Sequence, residues 1–374
     1  MSYRYANAIV DPGLNTLIAP PPPSYLYNLY SWGYNAQGQL GLGNTTAYSS
    51  PMQVGSLTTW NTISNGITFF VSVKTDNTLW TWGGNANGQL GLGNRTYYSS
   101  PKQVGALTNW SLASAGYQHI AAIKTDGTLW AWGSGGAGKL GFNNTNSYSS
   151  PKQVGSLTNW KDVVASAYNT HAIKTDGTLW AWGGNYFGPL GLGNQTYYSS
   201  PKQVGSLTNW KSLAAGYENV LAIKTDGTLW SWGYNSSGEL GQNNTTNYSS
   251  PKQIGALTTW ASIALKRNTS LAIKTNGSLW SWGQNNNGQL GLGNITYYSS
   301  PKQIGSLTNW LTVATQYFSS AAIKIDGTLW TWGQNQVGQL GLSNTTSYSS
   351  PKQVGSATTW QKISVGEYFM SALG

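Results

Sequence analysis

The chain has 374 residues, with 20 lysines and arginines against 10 aspartates and glutamates, so its formal net charge is +10. It contains no cysteine, which excludes disulfides and thiolate metal sites. No apolar run reaches the ~18 residues that a membrane-spanning helix needs, so we predict no membrane span.

Residues 1–23 differ in composition from the rest of the chain and end in four consecutive prolines. Such a proline run favours a stiff, extended spacer. The segment lacks the basic-then-apolar order of a secretory signal. We therefore predict an N-terminal arm with a proline-rich linker that anchors the protein to another chain; a disordered leader is the alternative. The predicted anchoring residues are Tyr3, Tyr5, Ile9, Leu14, Leu17 and Ile18.

From residue 24 onward, one 50-residue unit repeats seven times without an insertion or deletion. A fixed period of roughly 20–50 residues indicates a solenoid, a propeller or an array, because one such unit cannot bury its own apolar face. A Trp-Gly pair marks every copy, with its tryptophan at Trp32, Trp82, Trp132, Trp182, Trp232, Trp282 and Trp332.

Each unit contains four short runs of β-branched and aromatic residues bounded by turn residues, which predicts four strands. In the third copy we place them at residues 129–133, 150–155, 160–165 and 170–174. Four strands per repeat make one propeller blade. The last copy ends one hairpin turn short of its Trp-Gly strand, so residues 29–33 are expected to supply that strand and close the ring. The predicted fold is all-β, a seven-bladed β-propeller over residues 24–374 with shared N- and C-terminal strands.

The segments "LWTWGGNANGQLGLGN", "SSPKQVG" and "AAGYENVLAIKTDGTLW" resemble the regulator-of-chromosome-condensation repeat family. The resemblance covers residues 24–374 and recurs in all seven copies. It implies a seven-bladed β-propeller closed by its terminal strands. It implies no single function, because one fold carries many functions.

The positive charge is spread around the repeat instead of being clustered. One lysine column begins at Lys74 and another at Lys102, and both recur every 50 residues. We interpret them as solvated strand edges and predict no specific nucleic-acid binding; a basic rim for an anionic surface is the alternative. The two histidines, His119 and His171, fall in different copies, and no carboxylates form a catalytic pair. We predict a protein that is not an enzyme and has no cofactor or metal; a two-histidine metal site is the alternative.

The copies differ mainly in two places: a window equivalent to residues 116–120 and the residues that follow each Trp-Gly pair. The window is rich in residue types favoured at recognition surfaces. We predict that it forms a loop face for a protein or host-surface ligand; neutral loop drift is the alternative. The predicted partner-binding residues are Phe69, Tyr117, Gln118, His119, Tyr168, Asn169, Tyr217, Glu218, Lys266, Arg267, Tyr317, Phe318, Glu367 and Tyr368.

Three functions are considered. The favoured one is a structural and binding component of a virion, specifically a bacteriophage, which binds other virion proteins through residues 1–23 and displays the propeller outward at the virion surface. Its motivation is a polar exterior without an export signal. The alternative is a free bacterial protein-binding propeller resembling the β-lactamase-inhibitory proteins, extracellular or cytoplasmic. Nucleotide exchange on a small GTPase is disfavoured, because the constant spacing leaves no room for a blade insertion.

Overall fold

A computed structural model describes residues 27–374. The predicted arm, with its six anchoring residues, lies outside the described residues. The first half of the strands runs, in chain order, β1 Leu29–Gly33, β2 Tyr48–Gln53, β3 Ser64–Asn65, β4 Phe69–Val73, β5 Leu79–Gly83, β6 Tyr98–Gln103, β7 Trp110–Ala115, β8 His119–Lys124, β9 Leu129–Gly133, β10 Tyr148–Gln153, β11 Trp160–Ala165, β12 Asn169–Lys174, β13 Leu179–Gly183 and β14 Tyr198–Gln203. The second half runs β15 Trp210–Ala215, β16 Asn219–Lys224, β17 Leu229–Gly233, β18 Tyr248–Gln253, β19 Trp260–Lys266, β20 Thr269–Lys274, β21 Leu279–Gly283, β22 Tyr298–Gln303, β23 Trp310–Gln316, β24 Ser319–Lys324, β25 Leu329–Gly333, β26 Tyr348–Gln353, β27 Lys362–Val365 and β28 Phe369–Leu373.

These strands form seven four-stranded antiparallel sheets, as the repeat predicts. A typical blade has the order β11-β12-β13-β14, from the centre of the ring outward. The innermost strands of all seven blades line a central cavity of about 190 Å³. No helix in residues 27–374 has the length and apolarity to cross a membrane.

The seventh blade is shared by the two ends of the chain, in the order β27-β28-β1-β2. Strand β1 pairs with β28 from Leu29 opposite Leu373 to Gly33 opposite Phe369. At the inner edge, the backbone N–H of Asn65 donates to Ser364 Oγ at 3.0 Å, which joins the first inner strand to the last. The predicted closure by terminal strands is therefore confirmed.

The predicted strand bounds in the third copy are close to the observed ones. Strands β9 and β11 have the predicted bounds, and β12 begins one residue before its predicted start. Strand β10 covers Tyr148–Gln153 instead of 150–155, because its end is set by a turn: Gly155 has a φ of 63°, a left-handed conformation that a strand residue does not adopt.

Tryptophans fill the contacts within and between the blades. Trp60 packs edge-to-face on Trp80 and Trp82, with ring centroids 6.2 and 5.7 Å apart. The Lys74 ammonium lies 3.7 Å from the Trp80 ring centroid, and only 4% of the lysine surface is exposed. The interpretation of this lysine column as solvated is therefore wrong. The aliphatic part of each lysine in this column is buried, and its ammonium group lies over an aromatic ring. This cation–π contact partly replaces the hydration that the ammonium group loses.

Candidate partner-binding face

The two variable parts of the repeat lie at the same end of each blade, because the inner hairpin loop and the exit from the third strand are adjacent there. The backbone N–H of Ser134 donates to the Gln118 carbonyl at 2.8 Å, and that of Gly184 donates to Tyr168 at 2.8 Å. The other five blades make the equivalent bond, also at 2.8 Å: Tyr34 to Tyr368, Gly84 to Thr68, Tyr234 to Glu218, Gln284 to Asn268 and Gln334 to Phe318.

We call this surface the variable face. It consists of the residue after each Trp-Gly pair and the inner hairpin loops 66–68, 116–118, 166–168, 216–218, 266–268, 316–318 and 366–368. The opposite surface, the constant face, repeats one design. Its Asp-Gly hairpins are fixed by bonds such as that from Thr128 Oγ1 to Asp126 Oδ1 at 2.6 Å. The longest variable windows of the repeat thus lie on one side of the ring.

Three tyrosines from non-adjacent blades meet on the variable face. The Tyr117 ring stacks on that of Tyr317 with centroids 6.4 Å apart, and meets the edge of Tyr217 at 5.3 Å. Their blades are separated by at least one other blade, so these rings reach one another over the mouth of the central cavity, which we call the channel. We call Tyr117, Tyr217 and Tyr317 the aromatic rosette.

Further side chains extend the aromatic rosette outward. The Tyr168 and Tyr217 hydroxyl oxygens are 2.6 Å apart. The Arg267 guanidinium carbon lies 3.9 Å from the Tyr317 ring centroid and 5.8 Å from that of Phe318. A cation held over aromatic rings is a frequent component of binding hot spots.

Two of the rosette tyrosines, Tyr117 and Tyr217, are neutral at ordinary pH, and the pKa values of two nearby carboxyl groups are raised. Burial is the main reason that the pKa of Tyr117 is raised, and the neighbouring Tyr317 raises it further. Burial also raises the pKa of Tyr217. Burial raises the pKa of Glu218 to about 7. Burial also raises the pKa of Glu367, against the opposing effect of Arg267. Glu218 is therefore partly protonated near neutrality.

Eleven of the fourteen predicted residues lie in the variable-face loops. They are Tyr117, Gln118, Tyr168, Tyr217, Glu218, Lys266, Arg267, Tyr317, Phe318, Glu367 and Tyr368. Lys266 ends the inner strand β19 and lines the channel, where burial lowers its pKa to about 8.

Phe69, His119 and Asn169 lie beneath the face: each begins the second strand of its blade, and at most 1% of each is exposed. The predicted window extended too far into the strand at these positions. These three residues are therefore not part of the variable face.

The histidines have structural surroundings. His119 Nε2 lies 3.0 Å from Thr170 Oγ1, and His171 Nε2 lies 2.8 Å from the Pro189 carbonyl oxygen. Burial lowers the pKa of His171 to about 4, and burial also lowers that of His119, so both rings are neutral. Across residues 27–374, no group of three or more histidines and carboxylates is arranged to hold a metal ion.

The prediction omitted exposed tyrosines beside these loops, among them Tyr34, Tyr186 and Tyr197. Tyr34 packs edge-to-face on Tyr368, with centroids 6.4 Å apart. A signal for Tyr186 was present in the sequence. The pair Tyr186-Phe187 occupies positions that hold Gly136-Ala137 in the preceding copy, the largest contrast in size within the second variable set.

Comparisons with known proteins agree with this architecture. Residues 28–317 match the model of the RCC1-like domain, and residues 326–373 match that of the regulator of chromosome condensation (RCC1) repeat. A comparison with curated protein sequences finds no match.

Several solved structures share the fold. Prp20p from Saccharomyces cerevisiae, whose structure was described with its binding to Gsp1p and histones, is 19% identical with a TM-score of 0.83, over 94% of this chain and 93% of that one. Human WBSCR16 is 19% identical with a TM-score of 0.83, over 93% of this chain and 98% of that one. At these identities the likeness shows the fold alone.

Proposed function

Because the chain belongs to the RCC1-like domain family, we propose that it is a non-enzymatic propeller that binds a protein partner on its variable face. Prp20p, described with its binding to Gsp1p and histones, is an example of a ring of this fold that holds protein partners. The observation that carries the proposal is the backbone pairing of the two variable sets in all seven blades. Residues whose identity the fold does not require are thereby gathered on one surface.

The composition of the face supports a protein ligand. Arg267 is held over Tyr317, and Tyr168 is 39% exposed beside the aromatic rosette. Tyrosine and arginine are enriched in the energetic centre of protein interfaces. Tyrosine buries a large area with few rotatable bonds, and the planar arginine guanidinium makes several hydrogen bonds and stacks on aromatic rings. The rings also pack on one another before any partner binds, which lowers the entropy lost on binding.

Site-specific photo-crosslinking tests this proposal. A benzoylphenylalanine placed at Gln118 or Tyr368 should crosslink to a defined protein in a cell extract of the organism that produces this chain. A benzoylphenylalanine placed at Leu157 or Leu207 should not. The control leucines lie in the loops that face the Asp-Gly hairpins and are 47% and 45% exposed, so both sets are accessible. The purified partner should then bind the isolated ring. Crosslinks confined to the leucine positions would place binding on the constant face and reject the proposal.

The more specific part of the proposal is that the protein is carried on the surface of a virus particle. Residues 1–23 would attach the ring to another virion chain, and the variable face would point away from it. Support comes from the shared blade: its four strands are complete from Leu29 onward, so ring closure requires none of residues 1–23. Protein lacking residues 1–23 should fold normally but fail to enter particles. Incorporation at the full-length level would instead favour a free, inhibitor-like binding protein.

A further inference from the structure

A cleft of about 500 Å³ opens on the variable face to one side of the aromatic rosette. Its lining includes Tyr168, Tyr186 and Tyr197 from one blade, Gln118 and Lys139 from the preceding blade, and Glu218 from the following blade. The volume lies within the roughly 300–1,000 Å³ that small-molecule sites occupy. The cleft therefore has the size of a ligand site and is shared by three blades.

The cleft exists at this place because one loop of the ring is irregular. In six blades an asparagine fixes the loop after the third strand. Asn185, for example, donates from Nδ2 to the Asn194 and Thr196 carbonyls at 2.9 and 3.0 Å. The preceding blade has Gly135 instead, and a Cβ there would collide with the Asn146 carbonyl. The loop consequently follows a different path, through a 3₁₀ turn at Gly136–Gly138.

Side-chain size adds to the effect of the altered loop. Gly136 and Ala137 form one border of the cleft and fill little space, whereas Tyr186 lines it from the next blade. Gly184 also leaves room for Tyr168, since a Cβ there would lie 2.9 Å from the Tyr168 Cβ. The combination of a low border and tyrosine walls is a property of this pair of blades.

The three tyrosines present unused aromatic surface. They are 39%, 62% and 51% exposed for Tyr168, Tyr186 and Tyr197. Tyr168 is held by its hydroxyl contact with Tyr217 at 2.6 Å, and Tyr186 packs edge-to-face on Phe187 at 4.6 Å. Rigid, solvent-exposed rings around a concave space favour ligands with flat apolar faces.

The polar lining can both donate and accept hydrogen bonds. The Lys139 ammonium donates a hydrogen bond to the Ala167 carbonyl at 3.2 Å, and the Gln118 side chain is exposed. No hydrogen bond from the described residues to the Glu218 carboxyl group is present; burial alone perturbs its pKa. Burial raises the pKa of Glu218 to about 7 and lowers that of Lys139 to about 8, so both groups are only partly ionised near neutrality and can donate as well as accept hydrogen bonds. The lining therefore favours a neutral ligand rich in hydroxyl groups.

We propose that this cleft binds a neutral saccharide, with the C–H faces of the sugar against Tyr186 and Tyr197 and its hydroxyls bonded to Gln118, Lys139 and Glu218. A sugar ring combines an apolar face with an edge of donors and acceptors, which is the combination that the lining offers. This site goes beyond the proposed protein-binding function, since its ligand is a small carbohydrate unit and its outer wall, Tyr186 and Tyr197, lies outside the aromatic rosette.

The test is a glycan array probed with the full-length chain, followed by NMR titration of the bound saccharides. At least one neutral saccharide should bind saturably, and Tyr186→Ala or Tyr197→Ala should weaken that binding tenfold or more. Tyr297→Ala is the matched control. Tyr297 is equivalent to Tyr197 two blades away and is 44% exposed, but it does not line the cleft, so its removal should change affinity less than twofold.

Three results would overturn the proposal. They are the absence of binding to any neutral saccharide, equal losses in Tyr197→Ala and Tyr297→Ala, and saturable binding of tetramethylammonium or trimethyllysine without saccharide binding. The last would show a cage for organic cations. Photo-crosslinking from Tyr368 in the Tyr186→Ala protein separates the two functions. Its persistence together with lost saccharide binding would show that the protein partner does not depend on the cleft.

Discussion

The indole Nε1 of Trp32 donates a hydrogen bond to the Gln339 carbonyl oxygen at 2.9 Å, although 307 positions separate the two residues. Every pair of neighbouring blades makes the same bond. The others are Trp82 to Gln39, Trp132 to Gln89, Trp182 to Lys139, Trp232 to Pro189, Trp282 to Glu239 and Trp332 to Gln289, at 2.7–3.0 Å. The bond from Trp32 joins the N-terminal strand of the shared blade to the blade before it, so ring closure has a side-chain component besides the β1–β28 pairing.

Deleting residues 1–33 should destabilise the ring far more than deleting residues 1–23. The longer deletion removes β1, and with it Leu29 and Trp32, both 0% exposed. It also leaves β28 with an open edge. Loss of a buried tryptophan alone costs about 3–5 kcal/mol. Thermal unfolding of both truncated proteins measures the difference, and equal midpoints would contradict closure by the terminal strands.

Trp32→Phe should destabilise the protein by about 1–3 kcal/mol more than Trp360→Phe, because it leaves the buried Gln339 carbonyl without its donor. The control is matched: Trp360 is 5% exposed, packs against Trp32 with ring centroids 6.4 Å apart, and its Nε1 has no hydrogen-bond partner among residues 27–374. Urea denaturation of the two variants and the parent provides the comparison. Similar losses would mean that the indole bond adds little to closure.

Glu239→Gln should make stability less dependent on pH. Burial raises the pKa of Glu239 to about 8, from 4.5 for a free glutamate. The folded protein therefore holds a proton that the unfolded chain has lost between these values, and stability falls as pH rises from about 4.5 to 8, by up to about 1.4 kcal/mol per unit. Glutamine removes this loss, so the stability gained by the variant should grow with pH and level off above about pH 8.

The reciprocal variant, Gln89→Glu, is the control for this prediction. Gln89 Oε1 accepts from the Asn87 backbone N–H at 2.9 Å, as Glu239 Oε2 accepts from Ser237 at 2.7 Å. The Gln89→Glu variant should introduce the same pH dependence of stability in another blade. Chemical denaturation at several pH values tests both variants, and parallel profiles for Glu239→Gln and the parent would show that Glu239 is ionised in the fold.

Arg267→Ala should weaken partner binding by at least tenfold without changing the thermal midpoint by more than a few degrees. The guanidinium contacts half-buried rings at the channel mouth, and a hot-spot arginine contributes about 2 kcal/mol or more. Lys211→Ala is the control, because it removes the same charge from an exposed residue far from the variable face. Lys211 follows Trp210 at the opposite end of an inner strand, so its loss should change affinity less than twofold. Titration calorimetry with the crosslinked partner measures both, and equal losses would indicate nonspecific electrostatic attraction.

The repeat itself determined the architecture. The 50-residue period, the alternation of strand and turn residues, and the complementary ends of the array were enough to predict seven four-stranded blades and their closure by β1 and β28. These features depend on local strand propensity and on pairing between neighbouring segments, which a periodic pattern expresses directly. The position of the variable window on a loop face followed from the same pattern.

Only the tertiary structure decided which side chains meet. Tyr117 and Tyr317 are 200 positions apart, and their contact depends on the curvature of the ring and on side-chain direction over the channel. Phe69 and His119 turn inward because they are the first residues of buried strands, and Lys74 lies over a tryptophan face instead of in water. The tyrosine cleft likewise arises where a glycine at 135 alters one loop beside a tyrosine-rich blade. Such contacts join residues from different copies, and closing the chain into a ring is what places them side by side.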